Sequence, residues 1–379
     1  MDLPMIEFAC NLFDDGALED YYIIGAQHIL SSTLTMFKSL FKKGLKPENI
    51  SLLGKCYSTE YEAYFSMKRE GIDVSPYSIN FDSHESFDES YSLSIREFIN
   101  KRKDRITSSK YKKIIVLDDG GEMIEAINEM LDDHHNIIGM EQTSSGYRKL
   151  QDKHINFPVI NMARSKAKLT VETERVISLG YEKFEKHLNN LDNIKKVLIL
   201  GQGPIGSTIY QHLKDKFAVS RFDLNLFVKS DISHEEFNHK LKEFDLIIGC
   251  TGTTSITKEQ HQYLKKGVVL VSLSSTDREF DALHLRKKAP KSKHCWHHIN
   301  CDGIYLMNMG FPISFDSSDD IDDPLFFQFT RSLIMSSIYQ ALTVTNEKGF
   351  VDLDEGLQNM MINKFKDNRI LASRNNGTA

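Results

Sequence analysis

The sequence predicts an α/β protein of two domains, one built on a glycine-rich strand–turn–helix unit and the other discontinuous along the chain. Three observations predict it. Short apolar runs alternate with helix-length amphipathic segments, the pattern of a mostly parallel sheet with helices on both faces. Three glycines at G-x-G-x-x-G spacing, Gly201, Gly203 and Gly206, directly follow the apolar run 196–200. A long apolar segment, 324–342, comes after that unit has ended and is too apolar to stand alone. At 379 residues the chain also exceeds what one core ordinarily supports.

The elements follow in order. Tyr22-Ile-Ile-Gly25 reads as a strand leading through His28 into a helix that runs to Leu40. Ile50-Ser-Leu-Leu53 is a short strand, and 58–70 reads as a helix opening with Ser58-Thr59. Ile114-Ile-Val-Leu117 is a buried strand ending in Asp118-Asp119-Gly120-Gly121, with a helix over 122–131. Ile137-Ile-Gly-Met140 is another strand, entering Glu141-Gln142-Thr143-Ser144-Ser145-Gly146. An amphipathic helix over 173–191 joins this half to the glycine-rich unit. That unit continues through Leu246-Ile-Ile-Gly-Cys-Thr251-Gly252 and the strand 268–272, and a hairpin is expected around 294–299 and 304–307. An acidic loop, 316–323, precedes the long helix, which is expected to pack back on the first domain. The boundaries expected are 1–172 for the first part of a substrate domain, 173–312 for the glycine-rich domain with its linking helix, and 313–379 for a hinge helix and return.

The glycine unit has a specific physical reading. Gly201 allows the tight turn, Gly203 lets backbone amides approach a pyrophosphate, and Gly206 lets helix and strand pack closely. Pro204 and Ile205 open the helix, whose N-terminus offers free N–H groups and a positive dipole end to phosphates. The stretch 218–222 reads as the next strand, and Asp223 at its end would accept a ribose 2′-hydroxyl, favouring NAD over NADP. The fold class is therefore a Rossmann-type NAD-binding domain plus a discontinuous α/β substrate domain with a mostly parallel sheet. A glycine triplet alone is often just a turn; strand, helix and acid together select the cofactor reading.

Composition narrows the partners. Hydrophobic residues at 40% and charged residues at 26% describe an ordinary soluble protein, and a net charge of −6 gives nucleic acid no attraction. No basic region precedes an apolar core at the start, and no apolar run could span a bilayer, so a cytoplasmic location without a membrane partner is expected. Five cysteines form no even framework, in keeping with a reducing compartment. The His/Cys cluster over 294–301 matches no standard zinc spacing, so no metal is expected. The basic run 286–293 reads as an exposed loop.

Several ordered segments resemble the S-adenosylhomocysteine hydrolase (adenosylhomocysteinase) family. They are Gln27-His28, Ser58-Thr59, Leu117–Gly121, Glu141–Gly146, 158–161 through Lys168, Gly201–Gly206, Thr251-Gly252 and Asn308-Met-Gly310, spanning about residues 22 to 312. The resemblance implies an NAD-dependent enzyme that transiently oxidises a secondary hydroxyl of a nucleoside thioether, S-adenosylhomocysteine or a related sugar alcohol, to labilise the neighbouring carbon. Carried over residue by residue, His28 is a catalytic histidine, Asp119 a general acid/base, Lys168 the lysine that helps deprotonate the hydroxyl and Glu172 its carboxylate partner. Ser58, Thr59, Gln142 and Phe311 fall at substrate-contacting positions. Thr143, Ser144, Ser145, Thr251, Gly252 and Asn308 fall at cofactor-contacting positions beside Gly201, Gly203, Pro204, Ile205, Gly206 and Asp223.

The chain departs from the family pattern in informative ways. Gln142 stands for a glutamate, Glu172 for an aspartate, Thr173 for an asparagine, and Ser275 and Phe311 each for a histidine. Leu30 and Ser32 fill positions that contact adenine through a hydroxyl and a carboxylate, and the C-terminal Lys/Tyr tail is missing. Cofactor-facing positions persist while base-side and thiol-side positions change. Two alternatives therefore stand beside the hydrolase: an NAD-dependent oxidoreductase releasing an oxidised product, and a silent NAD-binding regulator. The expected ligand is small and nucleoside-like, and a homodimer is left open. Each assignment has a plainer competitor: Asp118-Asp119 could cap a helix, His28 could be structural and Lys168 solvated.

Overall fold

A computed structural model describes residues 3–315, 324–344 and 348–376, without the side chains of 172–176 and 372–376. The acidic loop 316–323 and the Glu172 and Thr173 side chains therefore lie outside the described residues.

The chain opens with α1 (Pro4–Cys10), β1 (Tyr21–Ala26), α2 (Ser31–Phe41), β2 (Ile50–Leu53), α3 (Tyr61–Arg69) and β3 (Asp73–Val74). It continues through α4 (Phe87–Asn100), α5 (Lys103–Ile106), β4 (Lys113–Asp118), α6 (Glu122–Met130), β5 (Ile137–Glu141), α7 (Ser144–Leu150) and β6 (Pro158–Asn161). Then come α8 (Thr173–Leu188), β7 (Lys196–Leu200), α9 (Pro204–Leu213), β8 (Ala218–Phe222), α10 (Phe237–Lys240), β9 (Leu246–Gly249) and β10 (Val269–Ser272). The last elements are α11 (Ala282–Arg286), β11 (Ile299–Cys301), β12 (Ile304–Leu306), α12 (Pro324–Ala341), β13 (Gly349–Asp352) and α13 (Glu355–Asn376).

Two compact units result. The first gathers Met1–Ile79, Tyr91–Arg175 and Asp320–Ala379; the second gathers Asn80–Ser90 and Val176–Asp319. The first holds a sheet of order β13-β6-β5-β4-β1-β2-β3, paired parallel throughout. From β1 the chain steps outward to β2 and β3, then returns to the other side of β1 with β4, β5 and β6. Strand order thus reverses between β1 and β4, and such a reversal leaves a crevice at the carboxyl ends of the strands. Gln27-His28 and Asp118-Asp119 stand there.

The core of the first unit explains its discontinuity. Phe329, Leu333, Ile334, Met335 and Ile338 of α12 are buried in one cluster with Ile23, Leu52, Ile115, Leu117, Ile138 and Met140 of the sheet. The buried hydroxyls of Ser332, Ser336 and Ser337 donate to carbonyls one turn earlier, so α12 carries its polar side chains inward without loss. Lys113 Nζ donates to the carbonyls of Ala341, Leu342 and Val344 and caps the helix end.

In the second unit the order is β11-β12-β10-β9-β7-β8, parallel except for β11 against β12. Strand order reverses between β7 and β9. Alternate residues of β7, β9 and β10 enter separate clusters on the two faces, with Leu198, Ile247 and Leu270 in one and Val197, Ile199, Leu246, Ile248, Val269 and Val271 in the other. A strand buried on both faces must be apolar at consecutive positions, hence the uninterrupted runs in the sequence.

Three expectations are corrected. The helix expected from residue 58 begins at Tyr61, because Cys56–Ser58 form a tight 3-10 turn in which Thr59 Oγ1 bonds the Lys55 carbonyl. The linking helix ends at Leu188, and a π-helical turn, Lys168–Glu172, leads into it. The hairpin pairs only Ile299–Cys301 with Ile304–Leu306, and 294–298 take no strand form.

Candidate functional site

At the strand-order reversal of the first unit, three side chains converge on Asp119. Lys55 Nζ donates to Asp119 Oδ1 at 2.8 Å and to its carbonyl at 2.7 Å. Gln142 Nε2 donates to Oδ2 at 2.5 Å, and His28 Nε2 stands 3.3 Å from the same oxygen. On its other side His28 Nδ1 lies 2.6 Å from Ser58 Oγ. Burial alone would push the Asp119 carboxyl up, but Lys55 and His28 hold it well below the usual range. Burial alone would likewise push the Lys55 ammonium down, and Asp119 holds it well above. The two charges fix one another, so Asp119 acts as a permanent anion that orients His28 and Gln142.

This geometry changes the reading of single residues. The amide at Gln142 gives Asp119 a donor, where a carboxylate would face it with like charge. Thr59 is buried and bonds backbone, and Ser58 is buried and orients His28. Lys55 escaped the sequence reading; its signal was a lysine one glycine past a buried strand, in the position that completes a carboxyl-end cluster.

Beneath this cluster lies a second carboxyl pair that sequence reasoning also missed. Asp118 and Glu141 face each other in register on β4 and β5, and both are fully buried. Asp118 Oδ2 accepts the Ile124 N–H, and Glu141 Oε1 accepts from Gly120, Thr143 N and Thr143 Oγ1. Their other oxygens, Asp118 Oδ1 and Glu141 Oε2, have no partner among the described residues. Burial, reinforced by Glu122, pushes Asp118 up to about 7. Burial and Asp118 push Glu141 well up too. Thr143, expected at a cofactor, spends its hydroxyl on Glu141 and on capping α7, where it accepts the Gly146 N–H. Ser144 and Ser145 form the first turn of that helix. Lys168 is half-buried at the start of the π-helical turn, a form of helix found often at functional sites.

In the second unit the glycine turn fits a dinucleotide. Gly201 takes φ +93°, and a Cβ on Gly206 would lie 1.9 Å from the Gly201 carbonyl oxygen, so neither position tolerates a side chain. A Cβ on Gly203 would meet nothing within 4 Å, which leaves open space before the N-terminus of α9, where Pro204 and Ile205 follow. Asp223 Oδ2 accepts the Gln202 N–H at 2.7 Å, placing the acid beside the turn. Asn308, fully buried and left-handed at φ 52°, donates through Nδ2 to the carbonyls of Pro312 and Phe315. Its Oδ1 has no partner among the described residues, an acceptor suited to a carboxamide. These features fit NAD.

Two expected contacts look different in place. The Thr251 and Gly252 N–H groups and the Thr251 hydroxyl all donate to Glu279, a buried carboxylate that also takes Ser255 and Ser274. Those donors shape the loop after β9 and are spent on it. Phe311, expected at a substrate, is fully buried and packs edge-on against Phe81 and Phe87, so it serves the core. No group of metal-ligating side chains occurs among the described residues. Nor is any described helix long and apolar enough to cross a membrane.

No protein-family model matches the chain. It is 34% identical over 337 residues to an uncharacterized protein of Mycobacterium tuberculosis, found in two strains, with 88% of this chain covered and 66% of that protein. The chain thus spans just under two thirds of the length of these curated relatives. Among solved structures, a dipicolinate synthase from Bacillus halodurans overlaps with a TM-score of 0.44 at 10% identity, over 86% of this chain and 99% of that one. Dipicolinate synthase from Bacillus subtilis gives 0.40 at 13%, over 88% and 98%. NAD+-bound 3-phosphoglycerate dehydrogenase from Entamoeba histolytica gives 0.34 at 10%, over 87% and 100%. Likenesses at this level bear on neither ligand nor activity.

Lys55→Met should cost about 3–5 kcal/mol in urea unfolding, because it strands the Asp119 charge, and adding Asp119→Asn should restore much of that. Folding raises the Asp118 carboxyl from its ordinary 3.8 to about 7, so its contribution is fully present below 3.8 and is lost as pH rises through about 7. Asp118→Asn should therefore flatten the fall in the urea midpoint over that window; an unchanged slope would remove Asp118 as its source.

Proposed function

We propose that the chain is an NAD-dependent enzyme resembling adenosylhomocysteinase, which acts on a nucleoside thioether or related sugar alcohol through transient oxidation of a secondary hydroxyl. The observation that carries this reading is the glycine turn. Gly206 is closed by the Gly201 carbonyl while the space before Gly203 stays open, which suits a pyrophosphate approaching the backbone. Bound there, the nicotinamide would supply a hydride acceptor. The Asp223 carboxylate would receive the adenosine ribose hydroxyls, and Asn308 Oδ1 would accept from the carboxamide.

The remaining chemistry belongs to the side chains of the first unit. Lys168 would assist removal of the hydroxyl proton, with Glu172 as its partner in the same turn. Asp119, held charged by Lys55, would fix the His28 ring from one side, leaving the imidazole to hold or pass a proton. Two observations favour the oxidoreductase reading as a second choice. An Asp119 carboxylate pinned below its usual range is a poor general acid, and Ser275 stands exposed where the resemblance expects a histidine. An enzyme with that deficit would stop at the oxidised product.

Titration calorimetry on the purified chain should show NAD bound more tightly than NADP. Asp223→Ala should weaken NAD about ten-fold or more, the worth of one charge-assisted hydrogen bond, and unchanged affinity would remove that contact. With S-adenosylhomocysteine, bound cofactor should be reduced transiently without net NADH, whereas steady accumulation of NADH selects the oxidoreductase. Lys168→Ala should abolish either signal, and its persistence would strike Lys168 from the mechanism.

A further inference from the structure

Gln27 is the first residue past β1, and its N–H donates to the Leu53 carbonyl at 3.0 Å, one step beyond the paired strands. Carrying the Gly25–Leu117 pairing on by two residues sets Gln27 beside Asp119. Carrying Asp118–Glu141 on by one sets Gln142 on the other side of Asp119. The three form a row across adjacent strand ends, with neighbours about 4.8 Å apart along the sheet. A Cβ on Gly25 would lie 3.4 Å from Gln27 Cγ and 3.1 Å from Leu117 Cβ, so the Gln27 side chain shares their face.

Asp119 spends its oxygens on Lys55, Gln142 and His28. Gln27 does not share in this. It is 1% exposed, yet neither its Nε2 nor its Oε1 has a hydrogen-bond partner among the described residues. Gln142 Oε1, on a residue 4% exposed, is in the same condition. An unmet buried polar atom forfeits its hydration without recompense, and a leucine would fill the same space without that cost. The half-exposed ring of His28 is the next residue.

We propose that Gln27 is a specificity-determining substrate contact whose amide reads the donor–acceptor edge of a planar heterocyclic base. A fixed carboxamide offers one donor and one acceptor side by side, and the complementary partner offers the reverse pair in one plane, as an adenine or lactam edge does. A carboxylate or phosphate would use only half of the amide and would leave its oxygen facing negative charge. Gln142 Oε1 adds an acceptor for a neighbouring hydroxyl. The assignment rests on the reading that the substrate is nucleoside-like.

The test is calorimetric titration of the full chain, with and without NAD, using adenosine, inosine and methyl ribofuranoside. Wild type should bind one of the nucleosides at least about ten-fold more tightly than the riboside, and Gln27→Leu should erase that preference. NAD affinity should stay unchanged and the unfolding temperature should not fall. Retained base preference in Gln27→Leu overturns the assignment, as does a wild type that does not distinguish nucleoside from riboside. Gln27→Met serves as a second variant of matching length, and unfolding of both variants would overturn it by showing that the amide serves the fold. Failure of NAD to bind the wild type would instead count against the proposed enzyme, while the comparison of bases with riboside would still report on Gln27.

Discussion

Parallel pairing is the constraint on which everything else depends. Parallel neighbours cannot be joined by a tight turn, so each connection crosses a face of the sheet as a helix or long loop. When the chain has filled one side of its first strand it must return to fill the other. Both sheets do this once, between β1 and β4 and between β7 and β9. At each reversal the connections leave in opposite directions and uncover the strand ends. The Asp119 cluster occupies one such opening and the glycine turn the other.

The two openings are furnished by opposite means. The first is packed with ionised and amide side chains whose positions are fixed by mutual contact, Lys55 and Asp119 foremost. The second is furnished by backbone: Gly201, Gly203 and the first turn of α9 leave N–H groups and space. Side chains suit a reaction in which charge must be placed to a fraction of an ångström. Backbone suits a diphosphate, whose charge is spread and whose recognition needs several weak donors.

Much of this was legible in the sequence, and the parts that were not share a cause. The runs 114–117, 137–140 and 246–249 announced buried parallel strands, because burial on both faces leaves no polar position. The glycine spacing announced its turn, because only a missing Cβ lets α9 pack against the Gly201 carbonyl. Lys55 and Glu279 were illegible because their meaning lies in partners distant along the chain, and a lone charged residue in a loop looks the same whether paired or solvated; Glu141 was illegible because its pairing with Asp118 exists only across two strands. Phe311 failed in the other direction: its place in a motif suggested a ligand, and only its packing on Phe81 and Phe87 shows that it fills the interior. Segment 80–90, which belongs with the second unit, offers no compositional mark of that membership.

Glu279 carries a consequence for how the second opening responds to whatever enters it. By gathering Thr251, Gly252, Ser255 and Ser274 on one buried carboxylate, it holds the segment after β9 in its final form from the outset. A guest arriving at the glycine turn meets a wall already set, so little backbone freedom is surrendered on association. A dinucleotide bound there as proposed would be received by a rigid socket.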